Sequence, residues 1–551
     1  MLYDAVIVGS GASGGWAAKR LAEAGLNVAV IEAGRARTGD DNREHIPSHE
    51  LTWRGRTKAP LAAARPQQSR SYACDEWNAD WYAKDIEEPY TLGAEPFPWV
   101  GRLRLVGGRT NVWGRQSYRW SDADFKAASH DGAGVDWPLA YRDLAPYYDI
   151  VEGYVGISGR PEAHPLLPDG VLQPPMPMTC AETAFATRVK QRFGRTFTIG
   201  RAANLTQALN GRAPCHYCGP CERGCVTQSY FNSAFTTVPD AVKTGRCTLV
   251  TDAMVHTVLM DPVSRRARGV QYIDRASRQV REVHGRVVLL CAQMFETMRI
   301  LFNSRTTQDP AGLGNSSGLL GRNLMVHFTD AGASAEFPEF EETPSLNGPN
   351  RPNGIFGVRF RNVAGEKPAG TFLRGYGYQG RSGASFDMRA PGFGDAYKKA
   401  IAAGVTRIRL QGFGECLPHD DNYCDIDPAI VDAFGIPALR IHMSFHDNDR
   451  AMLQDMADSA AEMLEAAGGT NVRPYVDPRW AAHEVGCARM GADPKTSVLT
   501  PFQQLHDVAN VFVLDASGFP SSGWSNPTLT IMALAVRSCD RVLERMRSGD
   551  L

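Results

Sequence analysis

Long apolar runs are missing from this chain. No stretch approaches the ~18 consecutive apolar residues that a membrane-crossing helix needs, so no direct membrane span is expected. An excess of one charge is missing too. Lys plus Arg number 59 against 60 Asp plus Glu, a net charge of −1, so no long-range field draws the chain to nucleic acid or an anionic surface. There is no internal repeat and no low-complexity tract. No signal peptide is expected, because Met1-Leu2-Tyr3-Asp4 leads straight into an apolar strand. The expectation is a cytoplasmic protein, or a periplasmic one if it is exported folded with a signal-bearing partner. What remains is ordinary for a globular enzyme: 43% hydrophobic and 22% charged residues. At 551 residues the length suits roughly three to four domain-sized units.

Disulfide-framework spacing is absent from eight of the 12 cysteines, which are scattered and read as small buried hydrophobes. The other four, Cys215, Cys218, Cys221 and Cys225, form a C-x2-C-x2-C-x3-C run in PCHYCGPCERGC. Bacterial ferredoxins present thiolates to iron–sulfur clusters with this spacing. Gly219, Pro220 and Gly224 suit a tight loop whose N–H groups point at sulfides. Structural zinc is the second reading, but its two C-x2-C pairs usually stand about 15–20 residues apart. Disulfides come third, because loops this short are strained. The chain has no second run to share the fourth cysteine, so [3Fe-4S] and [4Fe-4S] both stay open.

Residues 3–34 read as β-α-β. Gly9-Ser10-Gly11-Ala12-Ser13-Gly14 is GxGxxG placed after a strand and before a helix, the context in which that pattern signals dinucleotide binding. Gly9 allows the tight turn, Gly11 lets a pyrophosphate approach the backbone, and Gly14 lets helix and strand pack closely. Glu32 ends the second strand, where a carboxylate can accept from ribose hydroxyls. The fingerprint does not separate NAD from FAD. Two further segments favour FAD: the small-residue stretch Val106-Gly107-Gly108-Arg109-Thr110-Asn111-Val112-Trp113-Gly114, and Asp515-Ala516-Ser517 after an apolar strand near the C-terminus.

Residues 245–292 read as β-hairpins, 293–305 as helix, and 330–450 as antiparallel sheet, with VTRIRLQGFGE and ALRIHMSFH as clear strands. Residues 450–468 read as helix, and the tail as strand then helix.

Five segments, GSGASGG, VGGRTNVWG, GECLPHDDNYCDIDP, HEVGCARMG and NPTLTIMALA, occur in the order expected of the glucose–methanol–choline oxidoreductases, and the chain resembles that family over nearly its whole length. Its cysteine loop is similar to that of the iron–sulfur-bearing members: FAD-dependent glucose dehydrogenase catalytic subunits and glucoside 3-dehydrogenases. The resemblance implies a Rossmann-like FAD-binding domain from residues 1–120, 240–328 and 475–551. It also implies an excursion over 121–239 that carries the cysteine loop, and a substrate domain over 329–474 built on an antiparallel sheet backed by helices. The implied cofactor contacts are Gly9, Gly11, Ser13, Gly14, Glu32, Gly107, Gly108, Asn111, Val112, Gly114, Asp515, Ala516, Asn526, Pro527 and Thr528. Some members link flavin through a histidine in the glycine-rich loop. Thr110-Asn111-Val112-Trp113 has none, so FAD is expected to be noncovalent.

By the same resemblance His483 is the base and Asn526 its partner. Chemistry gives an independent reason. Alcohol oxidation removes an O–H proton as hydride leaves the carbon; a histidine can take that proton near neutral pH, and an asparagine can hold the developing alkoxide without titrating. Asn526 also precedes the last helix, where Asn is a good N-cap. Asn347, Tyr378 and Gln379 are candidates to face a sugar. The expected activity is a dehydrogenase oxidising a secondary hydroxyl of a sugar or glycoside, C3 of glucosides being preferred. Electrons would leave through the cluster to a cytochrome-type acceptor, with a small companion subunit. An oxygen-using oxidase of the same fold and a non-catalytic flavin redox sensor are the alternatives.

Overall fold

Ala5-Val6-Ile7-Val8 is the fully apolar end of a strand, Leu2–Val8, at the centre of a seven-stranded sheet. Its two neighbours are parallel: Val28–Ile31 on one side and the second half of Val280–Leu290 on the other. Cys247–Val250 and Val511–Val513 extend the parallel region. Parallel strands are covered on both faces and therefore read as unbroken apolar runs, as VAVI and VFV do. The helices Ala12–Glu23 and Thr528–Ser548 close one face, packing Ala17, Leu21, Ala535 and Val542 onto Ile7, Val30 and Leu289. The structure is a computed structural model and describes residues 2–54, 57–340, 350–363, 370–384, 392–402, 404–477 and 481–551.

The hairpins expected over 245–292 are present, but the last strand does two jobs. The first half of Val280–Leu290 pairs antiparallel with Ala267–Asp274, which pairs in turn with Ala253–Met260. Its second half pairs parallel with Leu2–Val8.

The second sheet has eight strands, all paired antiparallel. Thr406–Glu415 lies at its middle, and the helix Asp447–Ala466 packs across it, with Met452 and Met456 over Gly412 and Gly414. Phe197–Ile199, Met325–Phe328 and Ala481–Val485 join this sheet from elsewhere in the chain. The segment ALRIHMSFH does not join it. Pro437–His442 pairs with Tyr423–Val431 and Thr91–Leu92 in a separate three-stranded sheet. Alternation identifies a strand through its two faces, but it carries no information about which sheet receives it. Among the described residues no helix is long and apolar enough to cross a membrane.

A buried ion network fixes the segment that leads into the glycine-rich stretch. Arg104 pairs with Glu88 and, at 2.7 Å, with Glu296; Arg102 reaches Glu296 at 3.1 Å and Arg275 reaches Glu88 at 3.0 Å. Burial alone would raise both carboxyls, but the guanidiniums around them, Arg104 foremost, hold Glu88 and Glu296 below the ordinary carboxylate range. Removing one partner of such a network leaves buried charge unpaired, and Glu88→Gln should cost about 3–5 kcal/mol at neutral pH. A depressed carboxyl pKa contributes stability above its unfolded value near 4.5 and loses it as pH falls through the folded value. Denaturant unfolding should therefore show the gap between wild type and Glu88→Gln narrowing as pH drops below about 4.5. A gap that stays constant down to acid would contradict this.

Candidate active site

The fingerprint turn has the geometry its glycines predict. Gly9 has φ +96°, and a Cβ at Gly14 would stand 2.0 Å from the Gly9 carbonyl oxygen. At Gly11 a Cβ would meet nothing closer than 4.0 Å, so the backbone lies open to a ligand. Gly11 is also the N-cap of Ala12–Glu23, with no capping side chain and no acid in the first turn. The N–H groups at that helix start are left for an anion, as in dinucleotide sites. Ser13 is buried within this first turn.

Glu32 holds the turn itself. Its Oε2 accepts from Ser10 N at 2.9 Å and Ser10 Oγ at 2.6 Å, and its Oε1 accepts from Gly34 N at 2.7 Å. A carboxylate has about four acceptor positions, so three are engaged within the protein. Ser10 Oγ in turn accepts from Gly107 N at 2.9 Å, and a Cβ on Gly108 would stand 3.7 Å from the Gly11 Cα. This brings the two glycine-rich segments, a hundred residues apart in sequence, against each other.

Within the second segment Gly107 has φ +95°. The side chain of Asn111 is fully engaged. Its Nδ2 donates to Val106 O and Gly108 O, and its Oδ1 accepts from Asn232 Nδ2 at 2.8 Å and Arg37 Nε at 3.1 Å. Asn111 therefore shapes the loop, and only its backbone remains for a ligand. Val112 is buried, and a Cβ at Gly114 would meet nothing within 4 Å.

Asp515 is buried and locally consumed. Its carboxylate accepts from Ser517 N at 3.0 Å, Ser517 Oγ at 2.5 Å and Thr297 Oγ1 at 2.5 Å, capping the turn Ala516–Gly518. Gly486, Ala488 and Met490 donate to the carbonyls of Ala516, Ser517 and Gly518, so the HEVGCARMG segment runs alongside that turn.

His483 and Asn526 come together. Asn526 Nδ2 lies 3.3 Å from His483 Nε2, and Gln379 Nε2 donates to Asn526 Oδ1 at 2.7 Å. With Oδ1 accepting from Gln379, the Asn526 amide presents N–H to His483 Nε2, which must carry the lone pair. His483 Nδ1 then donates to His327 Nδ1 at 3.3 Å. Pro527, not Asn526, is the N-cap of the helix that starts at Thr528, so Asn526 is free for this chain of contacts.

A register slip places His483. Met325 pairs with Val485 but His327 with Ala482, so Ala481–Val485 carries one extra residue. His483 sits there with φ +63°. Such bulges re-aim a side chain and concentrate near active sites. Next to it, Glu484 accepts from Arg109 Nη1 at 2.6 Å and Nη2 at 3.3 Å, which bolts the glycine-rich segment to the histidine strand. Burial first, and the Arg109 charge second, pull His483 down to a pKa of about 4. It is neutral at pH 7.

Three of these residues were missed or misplaced by sequence reasoning. A lone histidine in the apolar run Met325–Phe328 gives no spacing signal, so His327 was invisible. Arg109 lay inside a recognised segment without a role. Gln379 was considered for a sugar; its amide donates to Asn526 Oδ1, beside His483. Tyr378 is fully buried and donates to Met456 O at 2.6 Å, so it lines no sugar site. Asn347 lies outside the described residues.

All twelve cysteines are free. Cys221 and Cys225 are buried against Tyr230, and Cys215 and Cys218 are half-buried. The quartet is not drawn together tightly: among the described residues, the only trio of candidate ligand atoms within 4.8 Å lies elsewhere. Tetrahedral zinc with Zn–S near 2.3 Å needs sulfurs roughly 4 Å apart, so a zinc cage is not preformed. Burial pushes Cys215 up to about 11 and Cys218 up to about 12; only a bound cation would keep these thiols deprotonated. The buried guanidinium of Arg115 faces Cys221. Tyr230 spans from this loop to the nucleotide side, donating to Asn111 O at 2.9 Å.

Comparison with known proteins places the chain in a family. Residues 3–329 and 418–535 match the N- and C-terminal profiles described as GMC oxidoreductase. The chain is 29% identical to 2-methyl-1,2-propanediol dehydrogenase of Mycolicibacterium austroafricanum, covering 98% of this chain and 95% of that one. It is 26% identical to the fructose dehydrogenase large subunit of Gluconobacter japonicus, covering 99% and 98%. The crystal structure of pyridoxine 4-oxidase from Mesorbium loti superposes with a TM-score of 0.63 at 18% identity, covering 98% of each chain; that likeness is one of fold.

The histidine geometry makes a measurable forecast. In an NMR titration His483 should protonate near pH 4, and Arg109→Gln should move that value upward by less than burial lowers it. An unchanged or lower value would show that Arg109 does not act on the ring.

Proposed function

The chain belongs to the GMC oxidoreductase family, and from that premise we propose that it is an FAD-dependent dehydrogenase that oxidises a secondary hydroxyl of a sugar or glycoside, C3 of a glucoside being the preferred position. The observation that carries the reading is the ordered row Gln379–Asn526–His483–His327, which presents an unprotonated nitrogen, His483 Nε2, beside an amide donor.

The open Gly11 backbone, the uncapped helix start and the 107–114 segment would hold FAD, which when bound would supply the two-electron acceptor. Everything else falls to the chain. His483 Nε2 takes the hydroxyl proton of the substrate as its C–H bond breaks. Asn526 Nδ2 donates to the oxygen on which charge develops, and as an amide it does not compete for the proton. Gln379 prevents the Asn526 amide from flipping. His327 accepts from His483 Nδ1 and so fixes the tautomer. Burial keeps His483 neutral and ready over the whole range above about pH 4.

Cys215, Cys218, Cys221 and Cys225 would hold an iron–sulfur cluster, which would supply a one-electron exit. Support comes from their spacing and from Tyr230, which joins their loop to Asn111. A cytochrome-type acceptor and a small companion subunit complete the reading. The relative named as a large subunit points the same way.

Anaerobic mixing with a panel of sugars and glycosides should bleach the flavin, and analysis of the product should place the new carbonyl. His483→Asn should lower kcat/KM about 10²–10⁴-fold, and the acid limb of the wild-type profile should fall near pH 4 rather than 6.5. Cys221→Ser should keep anaerobic bleaching but lose turnover with a one-electron acceptor. Purified protein without iron or acid-labile sulfide, or one releasing peroxide in step with sugar turnover, would overturn the electron route in favour of an oxidase.

A further inference from the structure

Buried arginines in this chain are mostly paired with a carboxylate, as Arg104 is with Glu88, Arg119 with Glu152 and Arg299 with Asp432. Arg212 and Arg359 have no such partner, but each donates to two backbone carbonyls. Arg115 has neither arrangement. Among the described residues no carboxylate lies within 4.0 Å of it. Its Nη1 donates to Trp113 O at 2.6 Å, and its Nε is buried without a partner. Its backbone is left-handed as well, with φ +60°, a conformation that costs energy in a residue with a side chain. Ala203 N and Ser117 Oγ hold that backbone by donating to Arg115 O at 2.8 Å and 3.1 Å.

This strained, unpaired cation lies between the glycine-rich segment and the cysteine loop. It follows Gly114 directly, and its guanidinium stands 5.7 Å from the centroid of the Tyr230 ring. Tyr230 packs on Cys221 and Cys225 and donates to Asn111 O. Tyr72, which donates to Val112 O at 3.3 Å, flanks the same guanidinium. Burial disfavours a charged Arg115, and an anionic Cys221 does most to offset that, ahead of Tyr72, Tyr230 and Glu222. A buried cation without a counter-charge is costly, so the place calls for negative charge at the loop. Thiolates ligating a cluster supply it. Tyr217 N already donates to Cys215 Sγ at 3.4 Å, the kind of bond that helps set cluster potentials. A dinucleotide pyrophosphate has its own donors at the Gly11 helix start and does not call on Arg115.

We propose that Arg115 is the fixed counter-charge of the cysteine loop, offsetting the negative charge of the cluster held there and keeping its reduction potential high enough to take electrons from the flavin side. The proposal rests on the reading of the four cysteines as iron–sulfur ligands. One electron added to a cluster makes it one unit more negative, so a cation at fixed distance in a low-dielectric setting favours the reduced form. Arg115 is thus a tuning residue that acts through the loop, not a catalytic one.

The test starts with iron and acid-labile sulfide per chain in the purified full-length protein. Their absence overturns the reading of the loop, and the proposal with it. With the cluster present, a dithionite titration with redox mediators, followed by spin resonance and absorbance, reads the cluster and flavin potentials separately. In Arg115→Gln the cluster potential should drop by about 59 mV or more, a tenfold loss in the one-electron equilibrium, and the flavin potential should move less. Arg115→Lys keeps the charge and should recover most of the drop. If Arg115→Gln does not fold, Arg115→Met, an uncharged stem of similar length, takes its place. A cluster lost from Arg115→Gln but retained in Arg115→Lys also supports the proposal. Four results overturn it: an unchanged cluster potential, an equal drop in Arg115→Lys, an equal shift of the flavin, or loss of the cluster from both variants. A rise in KM confined to anionic sugars, with the potential unmoved, would assign Arg115 to a substrate anion instead.

Discussion

One slipped residue in the pairing of Met325–Phe328 with Ala481–Val485 governs the rest of the site. A strand in perfect register alternates its side chains between two faces, and His483 would then share a face only with Ala481 and Val485. The bulge adds a residue in the left-handed region and turns His483 so that it reaches Asn526 on one side and His327 on the other. A positive φ at a branched ring residue is strained, and the surroundings must hold it. The ion pair of neighbouring Glu484 with Arg109 and the carbonyls of Ala516–Gly518 do so. The strain, the base and the glycine-rich segment are therefore one mechanical unit.

Burial then sets the charges. His483 is neutral because the protein around it disfavours an imidazolium, and Arg109 adds to that preference. The same physics acts in the opposite direction on Cys215 and Cys218, where burial favours the thiol over the thiolate. An alcohol-oxidising base must be uncharged before it acts, and a cysteine must be charged before it ligates. Burial alone leaves a histidine in the neutral state that a base needs, whereas it holds the Cys215 and Cys218 thiols in the protonated state. On the approach to Gly107 charged groups are buried as a network: Arg102, Arg104 and Arg275 around Glu88 and Glu296 fix it without leaving a lone charge.

Local signals were the readable ones. GxGxxG after a strand specifies its own turn, because the need for φ above zero at Gly9 and for no side chain at Gly14 is a property of neighbouring residues. The β-α-β start, the central Thr406–Glu415 strand and the final helix follow from apolar periodicity for the same reason. Glu32 was legible as an acid at a strand end, placed to accept from ribose hydroxyls, but its engagement with Ser10 and Gly34 was not. Pro437–His442 shows the limit from the other side: its alternation is clear, yet it pairs with Tyr423–Val431 and Thr91–Leu92 instead of the large sheet.

The sequence by itself determined the family and the glycine turn and singled out His483 and Asn526 as candidates, since each rests on a short motif whose geometry is local. Only the tertiary structure decided which residues surround them. Gln379 and His327 reach that pair across 147 and 156 residues of sequence, and Arg109 reaches the neighbouring Glu484 across 375. Contacts of that kind depend on how strands choose sheets and slip in register, and no spacing along the chain encodes a distance in space.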